Sequence, residues 1–141
     1  MIAKNNIFNI RYSPRNHWIG QCGQNKGFCE FTDLKYGFRA GAKLLIRYIY
    51  VLDLWTVEKV IKRFAPPAEN NTCAYISFVS KFLRDNGFNP DNLRTVYRLY
   101  DDDLFFCLCK AIVRMETSFI LTKVDYVNWV TELNIRKELY G

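Results

Sequence analysis

From Asp33 onward, apolar residues recur at helical spacing, and the pattern is cut again and again by residues that stop helices. Leu34, Phe38, Ala42, Leu45 and Ile49 fall on one face, with Asp33 placed to cap the start of a helix that runs to about Tyr50. Thr56 is placed to cap a shorter helix carrying Val57, Val60, Ile61 and Phe64, which Pro66-Pro67 ends. Asn70 or Asn71 caps the next, whose stripe is Tyr75, Val79 and Phe82 and whose close is Asn86-Gly87. The run Asp101-Asp102-Asp103 suits a helix start, where the dipole favours negative charge, and Leu104, Leu108, Ala111, Ile112 and Met115 continue as a core face. A final helix is expected from about Lys123 to Glu138, with Thr122 as its cap. Such short, one-faced helices can bury their stripes only against one another. The expected fold is therefore mainly α, about five helices around one core.

Residues 1–32 differ. They mix Asn, Gly, Pro and aromatic residues without a helical period, and short strands are expected near Asn9–Tyr12 and Phe28–Thr32. This makes a small irregular or short-strand N-terminal lobe. The whole chain of 141 residues suits a single domain, and 50% apolar and 16% aromatic content supplies its core. No apolar stretch is long enough to cross a membrane, so no membrane insertion is expected. Met1 to Arg11 lacks the apolar run of a secretory signal, so the expectation is synthesis in the cytoplasm and release or delivery by other machinery.

The net charge is +6. A basic protein is drawn to polyanions, of which nucleic acid and an anionic bacterial wall are two. The basic residues are scattered, with no dense arm, which argues against specific nucleic-acid binding. The five cysteines include no spacing that pairs with a His or Cys set for zinc, and the single His17 excludes a multi-histidine site. Mostly buried, reduced thiols are expected, with no metal and no cofactor. A Cys–His hydrolase using His17 stays open, although no cysteine sits in a recognisable nucleophile motif.

Two glutamates invite a chemical reading. A carboxyl in an apolar cleft wall has its ionised form disfavoured, so it can hold a proton and act as an acid near neutral pH. Glu116 ends an apolar helix face, in line with Phe105, Cys109 and Ile112, and the small polar Thr117 and Ser118 follow it. By pattern alone the plainer reading is favoured, a helix-end glutamate facing solvent. Glu69 stands in a rigid segment, Ala65-Pro66-Pro67-Ala68-Glu69-Asn70-Asn71-Thr72. It reads either as a helix-start carboxylate or, with Asn70, Asn71 and Thr72, as part of a cluster binding sugar hydroxyls. Trp18, in the polar loop His17-Trp18-Ile19-Gly20, is the aromatic residue best placed for exposure and for stacking on a sugar.

At this point an ordered set of short motifs acquires meaning. Asn5-Asn6-Ile7-Phe8-Asn9-Ile10-Arg11, Trp18-Ile19-Gly20, Phe28-Cys29-Glu30-Phe31, Tyr36-Gly37-Phe38-Arg39-Ala40, the Pro66 to Thr72 stretch followed by Tyr75, and Arg114-Met115-Glu116 occur in that sequence. Their order resembles that of small phage and prophage proteins, often labelled virion structural proteins, that are similar to lysozyme-like cell-wall hydrolases. The chain departs at Ile7, where Pro is usual, at Glu30, where Gln is common, and at Thr117-Ser118, where Asn or Ser followed by Gly is usual.

The resemblance implies an α+β lysozyme-like domain that cleaves bacterial peptidoglycan as a muramidase, glucosaminidase or lytic transglycosylase. It also implies release or delivery to the wall, including on a virion, and the protein is expected to act as a monomer. Wall-cleaving glucosaminidases carry a catalytic Glu at a helix end, followed by the Asn-rich segment and the Trp loop. Here the order is reversed, as a circular permutation would leave it. Glu116 would then be the general acid, with Glu69 as a second or cleft-wall carboxylate. Asn5, Asn6, Asn9, Trp18, Asn70, Asn71 and Tyr75 would bind the sugar or support the loops. The geometric requirement is that Glu116 meet the Asn5–Arg11 segment at one cleft. The alternatives are a non-catalytic wall-binding or virion-assembly protein on the same scaffold, and a basic nucleic-acid-associated module.

Overall fold

A computed structural model describes residues 3–66, 71–95 and 103–135. The order of elements is β1 (Gln21–Asn25), β2 (Phe28–Phe31), α1 (Leu34–Ile46), α2 (Val57–Phe64), α3 (Thr72–Asp85), α4 (Asp103–Thr117) and α5 (Lys123–Glu132). The molecule is mainly α, with five α-helices and a two-stranded lobe in front of them among the described residues.

Local chemistry starts and stops most of these helices. Asp33 accepts the Lys35 amide at 3.1 Å, Thr56 the Lys59 amide at 3.2 Å, Asn71 the Ala74 amide at 3.2 Å and Thr122 the Asp125 amide at 3.1 Å. Asn86 closes α3, with Gly87 at a φ of 85° as the left-handed residue beyond it. Two expected ends differ. The helix from Asp33 is regular only to Ile46, and then widens into a π-helical turn over Arg47–Val51, with Asp53 at a φ of 59° reversing the chain. The helix from Lys123 stops at Glu132, because Leu133 already leaves helical geometry and Asn134 is left-handed, with a φ of 56°; Glu138 lies outside the described residues.

The strand pair also differs from expectation. β2 forms where expected, but its partner is the polar Gln21–Asn25, paired antiparallel from Gln21 with Phe31 to Asn25 with Phe28. Lys26 and Gly27, with φ of 54° and 86°, make the tight turn between them. Asn9–Tyr12 is not a strand. Asn9 takes a φ of 56°, which breaks an extended chain, and the Asn6 side chain captures both the amide and the carbonyl of Ile10. What remains is a single bridge, Arg11 to Phe28, and isolated bonds such as Cys29 N–H to Ile10 O.

α4 is the hub. Its buried residues, Leu104, Phe105, Cys107, Leu108, Cys109, Ala111, Ile112 and Val113, go almost all the way round the helix, so it runs through the core rather than along its edge. This is why Cys107 and Cys109 are both buried despite facing different ways, whereas Cys22 and Cys73 are exposed. α3 packs on α2 and on α4, and α1 packs on α5 and β2. Phe38 on α1 meets the rings of Tyr126 and Trp129 on α5, with centroids 5.7 and 5.5 Å away. No helix among the described residues is long and apolar enough to cross a membrane.

Two glycines decide how the N-terminal segment meets this core. A Cβ on Gly37 would lie 1.9 Å from the Asn5 carbonyl oxygen, and one on Gly41 would lie 2.1 Å from the Phe8 ring. One helical turn apart, they open a slot along α1 that residues 5–8 fill. Phe8 then stacks between Phe38 and Phe64, with centroids 6.3 and 6.2 Å away. The slot aims Asn9 at the far end of α4.

Candidate functional site

Glu116 lies in the last turn of α4. The helix stops there because Thr117 turns its hydroxyl onto the Ile7 and Val113 carbonyls, at 2.8 and 3.2 Å, and Ser118 takes a φ of 60°. The Thr117 bond to Ile7 crosses 110 residues of sequence and ties the helix end to the N-terminal segment. Asn9 Nδ2 donates to Glu116 Oε1 at 3.4 Å, across 107 residues. Glu116 and the Asn5–Arg11 segment therefore do lie together.

From the other side, Tyr75 in the first turn of α3 donates its hydroxyl to Glu116 Oε2 at 2.8 Å. The two carboxyl oxygens are thus held unequally. Oε2 is gripped at ordinary hydrogen-bond length, and Oε1 is held weakly. Burial raises the pKa of Glu116 above the usual carboxylate value, and this outweighs the opposing pull of the Tyr75 and Asn9 hydrogen bonds and the Arg11 charge. Tyr75 is pushed strongly upward by burial and by the neighbouring Glu116, so it remains a donor.

A groove of about 460 Å³ opens at Glu116. Asn9, Arg11 and Trp18 come from the N-terminal segment, Phe28 from β2, Tyr48 from the π-helical turn and Arg63 from α2. Trp18 is half-buried, with its ring packed against the core and one side left to the groove. Among the described residues lining the groove, Glu116 is the only acid.

The other expected site residues have specific duties. Asn6 is fully buried; it bonds to the Ile10 amide and carbonyl and to the Cys29 carbonyl, so it supports the loop and is closed to a ligand. Asn5, at a φ of 58°, donates to the Phe31 carbonyl at 2.9 Å and fastens the segment to β2. Asn71 caps α3 and so orients Tyr75 one turn later. Glu69 and Asn70, like Asp101 and Asp102, lie outside the described residues. Asp103 is the first residue of α4 and pairs with Lys123 at 2.5 Å. No cluster of three or more metal-ligating side chains occurs among the described residues.

Sequence reasoning missed Tyr48 and Arg63. They come from different elements and only the fold brings them to the groove, so no local pattern marks them.

No family model matches the chain. It is similar to protein P5 of Pseudoalteromonas phage PM2, with 35% identity over 83 residues, covering 56% of this chain and 52% of P5. The chain thus spans about half the length of this curated relative.

Proposed function

We propose that this protein cleaves the glycan strands of bacterial peptidoglycan on a lysozyme-like scaffold, with Glu116 as general acid. The observation that carries this reading is a carboxyl whose acidity is weakened by burial, at a helix end, on the wall of an open groove that also presents Trp18. Glycosidic cleavage needs such a group to protonate the leaving oxygen as the bond to the sugar carbon breaks. The weakly held Oε1 is the oxygen from which a proton can leave, while Tyr75 fixes Oε2 and with it the plane of the carboxyl. Trp18 offers an apolar face on which a sugar ring can stack. Similarity to a phage protein fits a chain that reaches the wall through a virion rather than by secretion.

One route uses Glu116 alone. Glu116 gives its proton to the leaving oxygen. The resulting carboxylate then takes one from a hydroxyl of the same sugar as that hydroxyl closes on the anomeric carbon. The product would be an anhydro sugar, lighter by one water than the hydrolysed sugar.

The test is clearing of purified peptidoglycan, with mass analysis of the released fragments. Glu116→Gln keeps the shape and removes the acid. Its activity should fall by about 10²–10⁴-fold while its helical circular dichroism stays that of the wild type. A fully active Gln variant would rule Glu116 out as the acid. Co-sedimentation with peptidoglycan but no fragment release from the wild type would favour the second reading, a wall-binding or virion-assembly protein. The similarity to a phage protein also suits that role.

A further inference from the structure

A second groove, of about 300 Å³, lies between α3 and α4 and shares no lining residue with the groove at Glu116. One wall is aromatic, Phe78 and Phe82 on α3. The other is cationic, Lys110 and Arg114 on α4. Arg114 and Glu116 are two residues apart, which turns their side chains to nearly opposite sides of the helix. Phe119 and Ile120, just beyond α4, complete the groove. Their placement is fixed, because Ser118 turns the chain at a φ of 60° and its carbonyl accepts from Arg114 Nη1 at 3.0 Å.

The groove leaves apolar surface and positive charge in water. Phe78 and Ile120 are 39% and 65% exposed, although their neighbours Val79 and Leu121 are fully buried. Scattered apolar side chains on a surface need no explanation, but these share one concavity. Neither Lys110 nor Arg114 forms an ion pair with a described residue, and no acid lines the groove among the described residues. The groove therefore complements a ligand that is apolar on one side and anionic on the other.

The spacing narrows the choice. Phe78 and Phe82 are four residues apart, as are Lys110 and Arg114, so each wall repeats at about 6 Å. A helix laid along the groove has that same repeat. It can present apolar side chains one turn apart to the rings and carboxylates one turn apart to the cations. A membrane surface fits poorly, since it takes up a protruding apolar face rather than a slot with its cations along one wall. A second copy of this chain lacks the required helix. Glu58 on α2, Asp85 on α3, Asp103 on α4 and Glu132 on α5 are each paired with a lysine, and Glu116 serves the other groove. That leaves Asp125 alone on the described helices.

We propose that the α3–α4 groove docks an acidic amphipathic helix of a partner protein. Its apolar side chains enter beside Phe78, Phe82 and Ile120, and its carboxylates meet Lys110 and Arg114. Docking there leaves the groove at Glu116 open.

The test uses the full chain and three labelled, stapled helical peptides of equal length, read by fluorescence anisotropy. The first carries Leu at i, i+3, i+4 and i+7 and Glu one turn apart beside that stripe. The second has Lys in place of each Glu, and the third scrambles the first. The first should bind about 10-fold or more tightly than either of the others. Ile120→Ser, at an exposed position, should weaken that binding about 10-fold. Lys110→Glu with Arg114→Glu, in a protein whose circular dichroism is unaltered, should invert the preference between the first two peptides. Lys110→Glu alone, which keeps the Arg114 bond to Ser118, should bring the two affinities close to equal.

Failure of the first peptide to bind overturns the proposal, as does equal binding of the scrambled peptide. An affinity that none of these substitutions alters also overturns it. Binding to phosphatidylglycerol vesicles that Ile120→Ser abolishes, with no peptide preference, would make the groove a membrane contact instead. A concentration-dependent dimer in sedimentation that Ile120→Ser removes would make the occupant a second copy.

Discussion

At the scale of single residues, Glu116 works against the fold that holds it. Its pKa is raised by burial, so above the ordinary carboxylate value the unfolded chain releases a proton that the folded chain retains. Stability from this group is complete below that ordinary value, declines as pH rises, and is gone once pH passes the raised folded value. Glu116→Gln removes the titration. The melting temperature of this variant relative to wild type should therefore rise with pH from the acid side and level off above the raised value. Thermal unfolding at a series of pH values measures it. A constant difference at every pH would show that burial does not control this carboxyl. Asn6 presents the opposite case, a fully buried amide whose bonds are all internal and whose purpose is to shape the loop.

At the scale of elements, the slot on α1 decides whether the site assembles. Replacing a helical glycine with alanine normally stabilises a helix by about 1 kcal/mol. At Gly37 the added methyl would meet the Asn5 backbone carbonyl, which cannot rotate away, whereas at Gly41 it would meet the Phe8 side chain. Gly37→Ala should destabilise by about 1–3 kcal/mol and separate Asn9 from Glu116, with Gly41→Ala the milder of the two. Denaturant unfolding reports the first effect and the pH dependence of Glu116, followed by NMR, the second. A Gly37→Ala protein as stable as wild type would show that the segment does not need the slot.

Elements also explain what could be read from the sequence. Asp33, Thr56, Asn71 and Thr122 were legible because a cap and the amide that donates to it lie within three residues of each other. β1 was not, because Gln21–Asn25 has no apolar alternation and owes its strand to the turn at Lys26-Gly27. The expected strand at Asn9–Tyr12 failed because its apolar and aromatic content was outweighed by two asparagine side chains and a left-handed backbone. Glu116 was readable as the end of an apolar stripe, and only the ordered motifs linked it to Asn9. The convergence of Arg11, Tyr48 and Arg63 was invisible, since each is an ordinary residue of its own segment.

At the scale of the whole molecule, the site is closed by contacts of very long sequence separation. Bringing Ile7 to Thr117 costs loop-closure entropy that local helix formation does not, so these contacts are expected to form after the helices have packed. Thr117→Ala should therefore speed unfolding several-fold and leave the folding rate within about twofold of wild type. Stopped-flow measurement of both rates tests this, and equal slowing of folding would place the contact in the nucleus instead. The same separation bears on manufacture. A ribosome releases the groove's lip, with Asn9, Arg11, Trp18 and Arg63, well before the helix that ends in Glu116. A half-made chain thus carries the groove's lip without its carboxyl, and Glu116 joins them only once translation has passed α4.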